Sequence, residues 1–418
     1  MRRLIWVHRL IPIVVGLAML SGCSPVIPTS ELPQVALGEP SFYPTVEANT
    51  RAPILPGNRV ELLQNGEEFF PAMLTAIREA RSTVTLVQYV FEKGTISDEF
   101  SSALAERCRA GLGVDVLLDG AGSLFIPGEY VDRMRRAGCR VAFFRPLRPW
   151  QIRRLNYRTH RRILVIDGRV AFTGGFGISE EWAGDGRQPR RWRETAVRVE
   201  GPAVRDLQGS FAQDWREATG VVLGGPTYFP PLEPVGTVAA QVVSSSPLGG
   251  SFEAYTLFLL AITAARRSIE ITNPYFVPDK TMYASILGAL RRGVRVRVLV
   301  PSVIDHPWVR EASRREFGPL LRAGVGIYEY LPARLHSKTV TIDGVWATVG
   351  STNFDNRSFA LNEEVNVTIY DRGFARRLEQ AFEQDLQSAR AVTYEEWKHR
   401  GLLTRVREIV TLPIRSQI

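Results

Sequence analysis

The sequence has few of the residues that build metal and redox sites. Its 418 residues include only three cysteines and five histidines. The cysteines form no CxxC pair and no HExxH spacing occurs in the chain, so two common zinc signatures are missing. We therefore expect no metal and no cofactor. If Cys23 is modified, Cys108 and Cys139 remain, and the sequence leaves open whether these two form a disulfide or are buried separately.

The N-terminus also lacks an apolar run long enough to span a membrane. The apolar stretch at residues 10–20 follows Arg2, Arg3 and Arg9 and precedes small residues. A spanning helix needs about 20 apolar residues, whereas a basic start, a shorter apolar stretch and small residues are typical of a secretory signal peptide. We predict a signal peptide at 1–22, with an uncleaved N-terminal anchor as the alternative.

The residues "LSGC" that end this stretch resemble a bacterial lipobox. That resemblance implies a lipidated Cys23 as the first residue of the mature chain, and Ser24 is compatible with sorting to the outer membrane. Residues 23–56 are rich in Pro, Thr, Ser and Glu without sustained periodicity, so we predict a tether there. We expect a membrane-anchored, extracytoplasmic lipoprotein that faces the periplasm.

The charge of the chain favours acidic partners. The formal net charge is +9, and the chain stays basic when the three arginines of 1–22 are removed. Nucleic acid, phosphorylated metabolites and anionic lipid surfaces all fit this balance, and the charge alone does not choose among them.

The chain repeats itself on either side of a proline- and glycine-rich break. "EARSTVTLVQYVF" (79–91) matches "AARRSIEITNPYF" (264–276), and each is followed by a helical stretch, a glycine and an apolar strand. Strands that alternate with helices predict a sheet flanked by helices. The two matching stretches are far apart in sequence, which indicates a duplicated domain rather than a short repeat. We predict an α/β fold of two tandem domains with mixed sheets, at 57–222 and 241–418, joined by a linker at 223–240.

Each half contains one histidine motif with the same spacing. His160, Arg162 and Asp167 are spaced as His336, Lys338 and Asp343 are, and each aspartate is followed six residues on by a pair of small residues. Positions i and i+2 share one face of a strand, so the histidine and the cation can meet one ligand. Two copies in register are much stronger evidence for a site than a single copy.

These residue types suit phosphoryl transfer without a metal. A histidine can act as a nucleophile or a proton donor near neutral pH. A lysine or arginine can hold phosphate oxygens, and small residues allow the backbone to approach an anion. The aspartates follow apolar strands, so we expect them to support the site rather than carry protons.

Together, the motifs resemble those of the phospholipase D superfamily, HxK(x)4D(x)6G(G/S)xxN in two halves. The resemblance covers the chain from about residue 57 onwards, and the second half fits fully. The tail of the second motif and the stretch "WRETAVRVEGPAV" resemble the bacterial cardiolipin synthase branch. The residues that carry the second-half resemblance are His336, Lys338, Asp343, Gly350, Ser351, Asn353, Asp355, Arg357, Ser358 and Glu364.

The first half departs from the family pattern at three positions. Arg162 replaces the family lysine, which keeps the charge but changes its reach and geometry. Gly177 stands where an asparagine is common, and Ala196 where related synthases often carry histidine. These departures bear on efficiency and acceptor preference, and they leave a weakened or non-catalytic phospholipid-binding protein as an alternative.

The resemblance implies a transphosphatidylase of cardiolipin synthase type that acts on lipids such as phosphatidylglycerol. By analogy, His160 is the favoured nucleophile and His336 the acid, although the reverse assignment stays open. Water as the acceptor would make the same site a phospholipase D-type hydrolase. An extracytoplasmic nuclease is a further alternative, although nucleic acid is not the favoured substrate. The implied catalytic residues are His160, Arg162, Asp167, His336, Lys338 and Asp343, and the implied substrate-binding residues are Gly175, Ser351, Asn353 and Glu364.

Overall fold

The computed structural model of the chain describes residues 31–147, 156–304 and 307–402, together with residues 404, 405 and 408. The predicted signal peptide at 1–22 and the predicted lipidation site Cys23 lie outside these residues. In the first half, the strands are β1 (Leu55–Gln64), β2 (Thr83–Gln88), β3 (Gly113–Asp119), β4 (Arg140–Phe144), β5 (Ile163–Ile166), β6 (Val170–Gly174), β7 (Trp192–Arg193) and β8 (Thr195–Glu200). The helices are α1 (Phe42–Thr50), α2 (Asn65–Glu79), α3 (Thr95–Arg109), α4 (Gly128–Arg136) and α5 (Val204–Thr219).

The second half repeats this succession of elements. Its strands are β9 (Val238–Ser245), β10 (Ser268–Thr272), β11 (Arg295–Pro301), β12 (Gly326–Tyr330), β13 (Arg334–Leu335), β14 (Thr339–Ile342), β15 (Trp346–Gly350), β16 (Glu364–Tyr370) and β17 (Ala389–Val392). Its helices are α6 (Glu253–Ala264), α7 (Lys280–Arg291), α8 (Pro307–Ala323), α9 (Asn356–Ala360), α10 (Arg372–Leu386) and α11 (Tyr394–Lys398).

Local sequence explains why these elements form and where they begin. Strand β2 is buried at every residue, as expected for a central strand with helices on both faces of the sheet. Helix α10 begins after Asp371, whose side chain accepts a hydrogen bond from the amide of Phe374. Its buried residues Phe374, Leu378 and Phe382 recur every four positions, so one face of the helix packs against the sheet.

One mixed sheet runs through both halves. Its strand order is β17-β12-β11-β10-β14-β15-β16-β9-β1-β8-β6-β5-β2-β3-β4. The series from β12 to β9 has the same arrangement as the series from β4 to β1, read from the other side. This symmetry confirms the predicted duplicated α/β fold, and the antiparallel pairing of β1 with β9 joins the two halves.

The two halves share part of their apolar core. One cluster combines Val165 and Val197 of the first half with Val349, Val365 and Phe374 of the second. Burying these side chains against each other is the dominant favourable contribution to such an interface. The two halves are therefore sequence repeats that share one layer of the apolar core.

The predicted tether differs from the structure in its C-terminal part. Residues 42–50 form α1, whose Phe42 and Val46 are buried in the same cluster as Leu257 and Phe258 of α6. Strand β1 begins at Leu55, before the predicted domain start at residue 57. The sequence showed no clear helical period because α1 is only nine residues long and buries few of them.

The predicted linker contacts the first half of the chain. The hydroxyl of Tyr228 donates to Asp115 at 2.9 Å, and Arg140 donates to the same hydroxyl at 2.7 Å. Strand β9 begins at Val238, within the last residues of the predicted linker at 223–240.

Cys108 and Cys139 form a disulfide, which answers the question that the sequence left open. Their Cα atoms are 5.4 Å apart, and the bond connects the end of α3 to the residue before β4. Both cysteines are also largely buried. Within the described ranges, no helix combines the length and apolarity needed to cross a bilayer.

Candidate active site

Both histidine motifs lie at one edge of the sheet. Strand β5 runs antiparallel to β2, with Ile163 opposite Val87, so His160 comes next to the end of β2. Strand β14 has the same relation to β10, and His336 precedes it. Because β2–β4 are mutually parallel and β10–β12 are mutually parallel, all six of these strands end where the histidines lie. We call this side of the sheet the histidine edge.

Backbone hydrogen bonds hold each histidine against the opposite half of the chain. The amide of His160 donates to the carbonyl oxygen of Glu363, and the amide of His336 donates to the carbonyl oxygen of Arg193, both at 2.9 Å. Next to His336, the short strands β7 and β13 pair in parallel. The structure thus brings His160 and His336 together in one composite site, as the repeated motif predicted.

Each histidine ring is held by a buried glutamate from the other half. His160 Nδ1 lies 2.9 Å from a carboxyl oxygen of Glu364, and His336 Nδ1 lies 2.7 Å from a carboxyl oxygen of Glu194. The sequence predicted that Glu364 binds substrate; in the structure its carboxyl group contacts His160 and accepts a hydrogen bond from the hydroxyl of Ser351. Glu364 therefore orients the nucleophile candidate.

Glu194 is the functional residue that the sequence interpretation missed. A signal was present, because Glu194 immediately precedes β8 and Glu364 begins β16, the symmetry-related strand. A fully buried glutamate at the same place in both halves is unusual unless it is paired. The partner could not be identified because Glu194 and His336 are 142 residues apart in sequence.

The two glutamates differ in protonation. Burial raises the pKa of Glu364 to about 8, although the hydroxyl of Ser351 and the charge of Arg162 oppose this. Burial alone would also raise the pKa of Glu194, but the charge of Lys338 and the contact with His336 outweigh it and lower that pKa. Near neutral pH, Glu194 is therefore ionised and Glu364 is mostly neutral.

Both histidines have lowered pKa values, which favour the neutral imidazole near pH 7. Burial, followed by the charges of Arg162 and Lys338, lowers the pKa of His160 well below its ordinary value. Burial and the charge of Lys338 lower the pKa of His336 to about 4, although Glu194 opposes this effect. Of the two cations, that of its own motif affects each histidine most, and that of the other motif also acts, because Lys338 lowers the pKa of His160 and Arg162 lowers the pKa of His336.

The two cations fold back onto their own histidines. Arg162 donates to the backbone carbonyl of His160 at 2.7 Å, and a second guanidinium nitrogen lies 2.9 Å from His160 Nε2. Lys338 Nζ lies 2.7 Å from His336 Nδ1 and also donates to the carbonyl of His336. Arg162 therefore occupies a position equivalent to that of the lysine, which supports its predicted role despite the change of residue.

Asp167 and Asp343, which the resemblance includes in the catalytic set, bind backbone amides, as expected of residues that support the site rather than carry protons. Each aspartate lies at the opposite end of its strand from the histidine. The carboxylate of Asp167 accepts hydrogen bonds from the amides of Arg81, Ser82 and Thr83. Asp343 accepts equivalent bonds from the amides of residues 266–268. Both aspartates anchor the turn after the strand and have positive φ angles of 54° and 56°.

The small-residue pairs make room for the glutamates. A Cβ atom on Gly175 would lie 2.7 Å from the carboxyl oxygens of Glu194. In the second half the equivalent residue is Ser351, whose hydroxyl donates to Glu364. The backbone of Gly175 and the hydroxyl of Ser351 therefore lie against the glutamates that hold the histidines, and the substrate-binding roles of these two residues stay predictions.

Asn353 and Gly177 make the site asymmetric. Asn353 is buried, and within the described part of the chain its Oδ1 has no hydrogen-bond partner. Its substrate-binding role stays a prediction. At the equivalent position, a Cβ on Gly177 would lie 2.8 Å from the ring of Trp182, so this indole fills the space that an asparagine side chain needs.

Aromatic rings surround both histidines. The ring centroids of Trp182 and Trp192 are 5.4 and 4.9 Å from that of His336, and the two indoles stack on each other. Tyr89 lies 5.0 Å from His160 by the same measure. In the described ranges, no group of three or more His, Cys, Asp or Glu residues could hold a metal ion. Two buried histidines, two cations and apolar walls can bind and cleave a phosphodiester by nucleophilic and acid–base catalysis.

Comparisons with known proteins show which family and which fold the chain is similar to. The family described as "Cardiolipin synthase, PLD-like domain" matches residues 73–215 and 258–386. Cardiolipin synthase A of Pseudomonas putida is 38% identical over 347 residues, which are 83% of this chain and 72% of that protein. The major cardiolipin synthase of Bacillus subtilis is 35% identical over 367 residues, 87% of this chain and 76% of that protein. The crystal structure of phosphatidylserine synthase from Haemophilus influenzae matches 90% of this chain and 100% of its own with a TM-score of 0.70, and its 15% identity supports the fold alone.

Proposed function

Because the chain belongs to the cardiolipin synthase family with phospholipase D-like domains, we propose that it is a phosphatidyltransferase of cardiolipin synthase type. It transfers a phosphatidyl group from a phospholipid such as phosphatidylglycerol to the hydroxyl group of a second lipid or polyol. The observation that carries this proposal is the crossed pairing of each histidine with a buried glutamate of the other half. This pairing supplies two oriented imidazoles for one phosphorus atom.

In the first step, His160 Nε2 attacks the phosphorus and the bond to the leaving alcohol breaks. His336, protonated in the substrate complex, gives its proton to the departing oxygen. Glu364 supports His160 as the nucleophile, because a mostly neutral partner favours a neutral imidazole. Glu194 supports His336 as the acid, because an ionised carboxylate stabilises the imidazolium form. The phosphate anion itself also raises the pKa of His336 when it binds.

In the second step, the acceptor hydroxyl gives its proton to His336 and attacks the phosphorus. The bond between phosphorus and His160 Nε2 breaks, and both histidines return to their starting states. Arg162 and Lys338 donate hydrogen bonds to the non-bridging phosphate oxygens in both steps. Water in place of the hydroxyl would turn the same cycle into hydrolysis.

A lipid-product assay tests the proposal and separates its alternatives. Purified protein is incubated with radiolabelled phosphatidylglycerol, and the products are separated by thin-layer chromatography. Cardiolipin and glycerol support the transferase, whereas phosphatidic acid would identify a hydrolase. A protein that leaves this lipid intact but cleaves DNA would be a nuclease, and one that binds lipid without turning over lipid or DNA would be a binding protein.

We further propose that the protein is an extracytoplasmic lipoprotein, anchored at Cys23 after removal of residues 1–22 and facing the periplasm. The Cys108–Cys139 disulfide supports this location, because disulfides persist mainly in oxidising compartments. A Cys23→Ser variant should move from the membrane fraction to the soluble fraction of the periplasm. Unchanged membrane association together with an unmodified Cys23 in the wild type would argue against lipidation.

A further inference from the structure

Large apolar side chains are exposed on four loops that leave the histidine edge. Leu124 and Phe125 follow β3, Leu147 follows β4, Val303 follows β11 and Leu331 follows β12. These loops occupy equivalent places in the two halves, because β3 and β4 correspond to β11 and β12 in the strand order. Phe125 is 72% exposed and Leu331 is 54% exposed. Apolar loop tips therefore flank the site on both sides.

The loop that carries Phe125 is fixed to the site. The amide of Ser123 donates to the carbonyl of Asp119 at 3.0 Å, and its hydroxyl donates to the carbonyl of Tyr89 at 2.8 Å. The ring of Tyr89 in turn lies 5.0 Å from the ring of His160. The loop of Phe125 is therefore fixed to the residue that contacts His160, and the exposure of the Phe125 ring to water has a free-energy cost.

Leu331, on the loop after β12 in the second half, is also fixed by hydrogen bonds. Its amide donates to the carbonyl of Ser388 at 3.2 Å, and the hydroxyl of the preceding Tyr330 donates to the carbonyl of Gly186 at 3.1 Å. Leu331 also lies only five residues before His336. The loop that carries Leu331 is thus tied to the segment that leads to His336, as the loop that carries Phe125 is tied to Tyr89.

Exposed basic residues accompany these tips. Lys93 lies between β2 and α3, and Lys280 begins α7 after β10, so both lie at the histidine edge. Arg187 and Arg190 belong to the segment between the two tryptophans that contact His336. Cationic side chains near apolar tips match the headgroup region of an anionic bilayer, which attracts basic residues outside an apolar interior.

We propose that these loops form a membrane-docking rim, which comprises Leu124, Phe125, Leu147, Val303 and Leu331 with the basic residues Lys93, Arg187, Arg190 and Lys280. The apolar tips enter the interfacial layer of an anionic phospholipid bilayer, and the site opens directly onto its headgroups. A bilayer fits separated tips on four loops better than a folded partner does, because a partner usually requires a contiguous packed surface. This inference rests on the proposed function only in taking phospholipid as the substrate.

A local fluorescence measurement tests the docking rim without requiring turnover. An environment-sensitive fluorophore is attached to Phe125→Cys or Leu331→Cys in the full-length chain that also carries Cys23→Ser. Val235→Cys is the control, because Val235 is exposed but its amide binds the carbonyl of Gly57, near the start of β1 and away from the histidine edge. Vesicles of phosphatidylglycerol and phosphatidylcholine should blue-shift the labels at 125 and 331 and leave the label at 235 unchanged.

Three other outcomes of this measurement would overturn the proposal. No shift at 125 and 331 would show that the rim stays in water, and equal shifts at all three positions would show unspecific adsorption. A shift that appears without vesicles and grows with protein concentration would identify a second copy of the chain as the occupant. Insertion of the labels in a protein that makes no cardiolipin would refute the proposed function and leave the docking rim intact.

A kinetic comparison measures what the rim contributes. Phe125→Ser should lower turnover of phosphatidylglycerol in vesicles about tenfold. The same variant should keep wild-type turnover of a short-chain phosphatidylglycerol below its micelle concentration, and Val235→Ser should be unaffected with either substrate. Equal losses of Phe125→Ser on vesicles and on the dispersed lipid would assign Phe125 to the site itself and contradict docking.

Discussion

At the scale of single residues, the two histidines are alike in sequence but differ in their partners. His160 is paired with a glutamate that burial keeps mostly neutral, and His336 is paired with an ionised one. The sequence could predict both histidines and both cations, because they recur in register. It could not predict the pairing of Glu194 with His336 or that of Glu364 with His160, because each pairing crosses between the halves.

Replacing His336 with alanine should abolish turnover. General acid–base catalysis by one side chain contributes about 10²- to 10⁴-fold, and leaving-group departure depends on this proton. The measurement is cardiolipin formation from phosphatidylglycerol by the purified variant. His399→Ala is the matched control, because His399 is exposed at the end of α11 and its ring lies next to Glu395. Wild-type rates in His336→Ala would refute the two-histidine mechanism.

Replacing Glu194 with glutamine should lower kcat about a hundredfold and shift the pH profile. The ionised carboxylate raises the pKa of His336, so its loss lowers that pKa. His336 must be protonated in the first step, and activity should therefore be lost at a lower pH on the alkaline side. Glu364→Gln is the comparison and should lose less than about tenfold near pH 7, since Glu364 is already mostly neutral there. If the alkaline side of the pH–activity profile stays in place in Glu194→Gln, His336 is not the general acid.

At the scale of elements, each motif is a strand with different tasks at its two ends. The histidine lies where β5 or β14 begins, and the aspartate fixes the turn where that strand ends. The sequence pattern predicted the strands correctly, but it also assigned the histidine and the aspartate of each motif to one site. A strand of four residues separates the ends by roughly 13 Å at 3.3 Å per residue, too far for the aspartate to touch the reacting groups.

Replacing Asp167 with asparagine should lower stability and spare catalysis. Asparagine tolerates the positive φ angle but accepts fewer amide hydrogen bonds, so we expect a loss of about 1–3 kcal/mol in the free energy of unfolding. Three amides lower the pKa of Asp167 despite its partial burial. Its contribution to stability should therefore be present above the ordinary carboxyl pKa and lost as the pH falls through the lowered value. Denaturant unfolding at several pH values, with turnover per folded molecule, checks this. A loss of turnover without a loss of stability would show that Asp167 contributes to catalysis.

At the scale of the whole molecule, duplication and a shared core turn two incomplete halves into one enzyme. The sequence predicted the two repeats and their mixed sheets, because strand and helix patterns recur at a nearly constant offset. It did not predict that β1 and β9 would join them into one sheet, or that α1 would pack on α6, since these contacts depend on tertiary packing. The tether and the two domains predicted from composition are therefore connected by the β1–β9 pairing and by the packing of α1 on α6.

Removal of the disulfide should destabilise the first half. The bond spans a sequence separation of 31, for which loop closure alone predicts about 3–4 kcal/mol. Cys108→Ala with Cys139→Ala should therefore unfold at a lower denaturant concentration, and reduction of the wild type should reproduce this shift. Cys23→Ser is the control and should unfold like the wild type. A double variant as stable as the oxidised protein would show that the bond does not constrain the fold.

The most direct test of the central claim is to locate the covalent intermediate. Protein mixed briefly with phosphatidylglycerol is quenched in alkaline denaturant, which preserves phosphorus–nitrogen bonds, and its peptides are analysed by mass spectrometry. We expect a phosphatidyl group on the peptide that contains His160, and this group should pass into cardiolipin when more acceptor lipid is added. A phosphatidyl group on His336, or cardiolipin formed at the wild-type rate by His160→Ala, would contradict this claim.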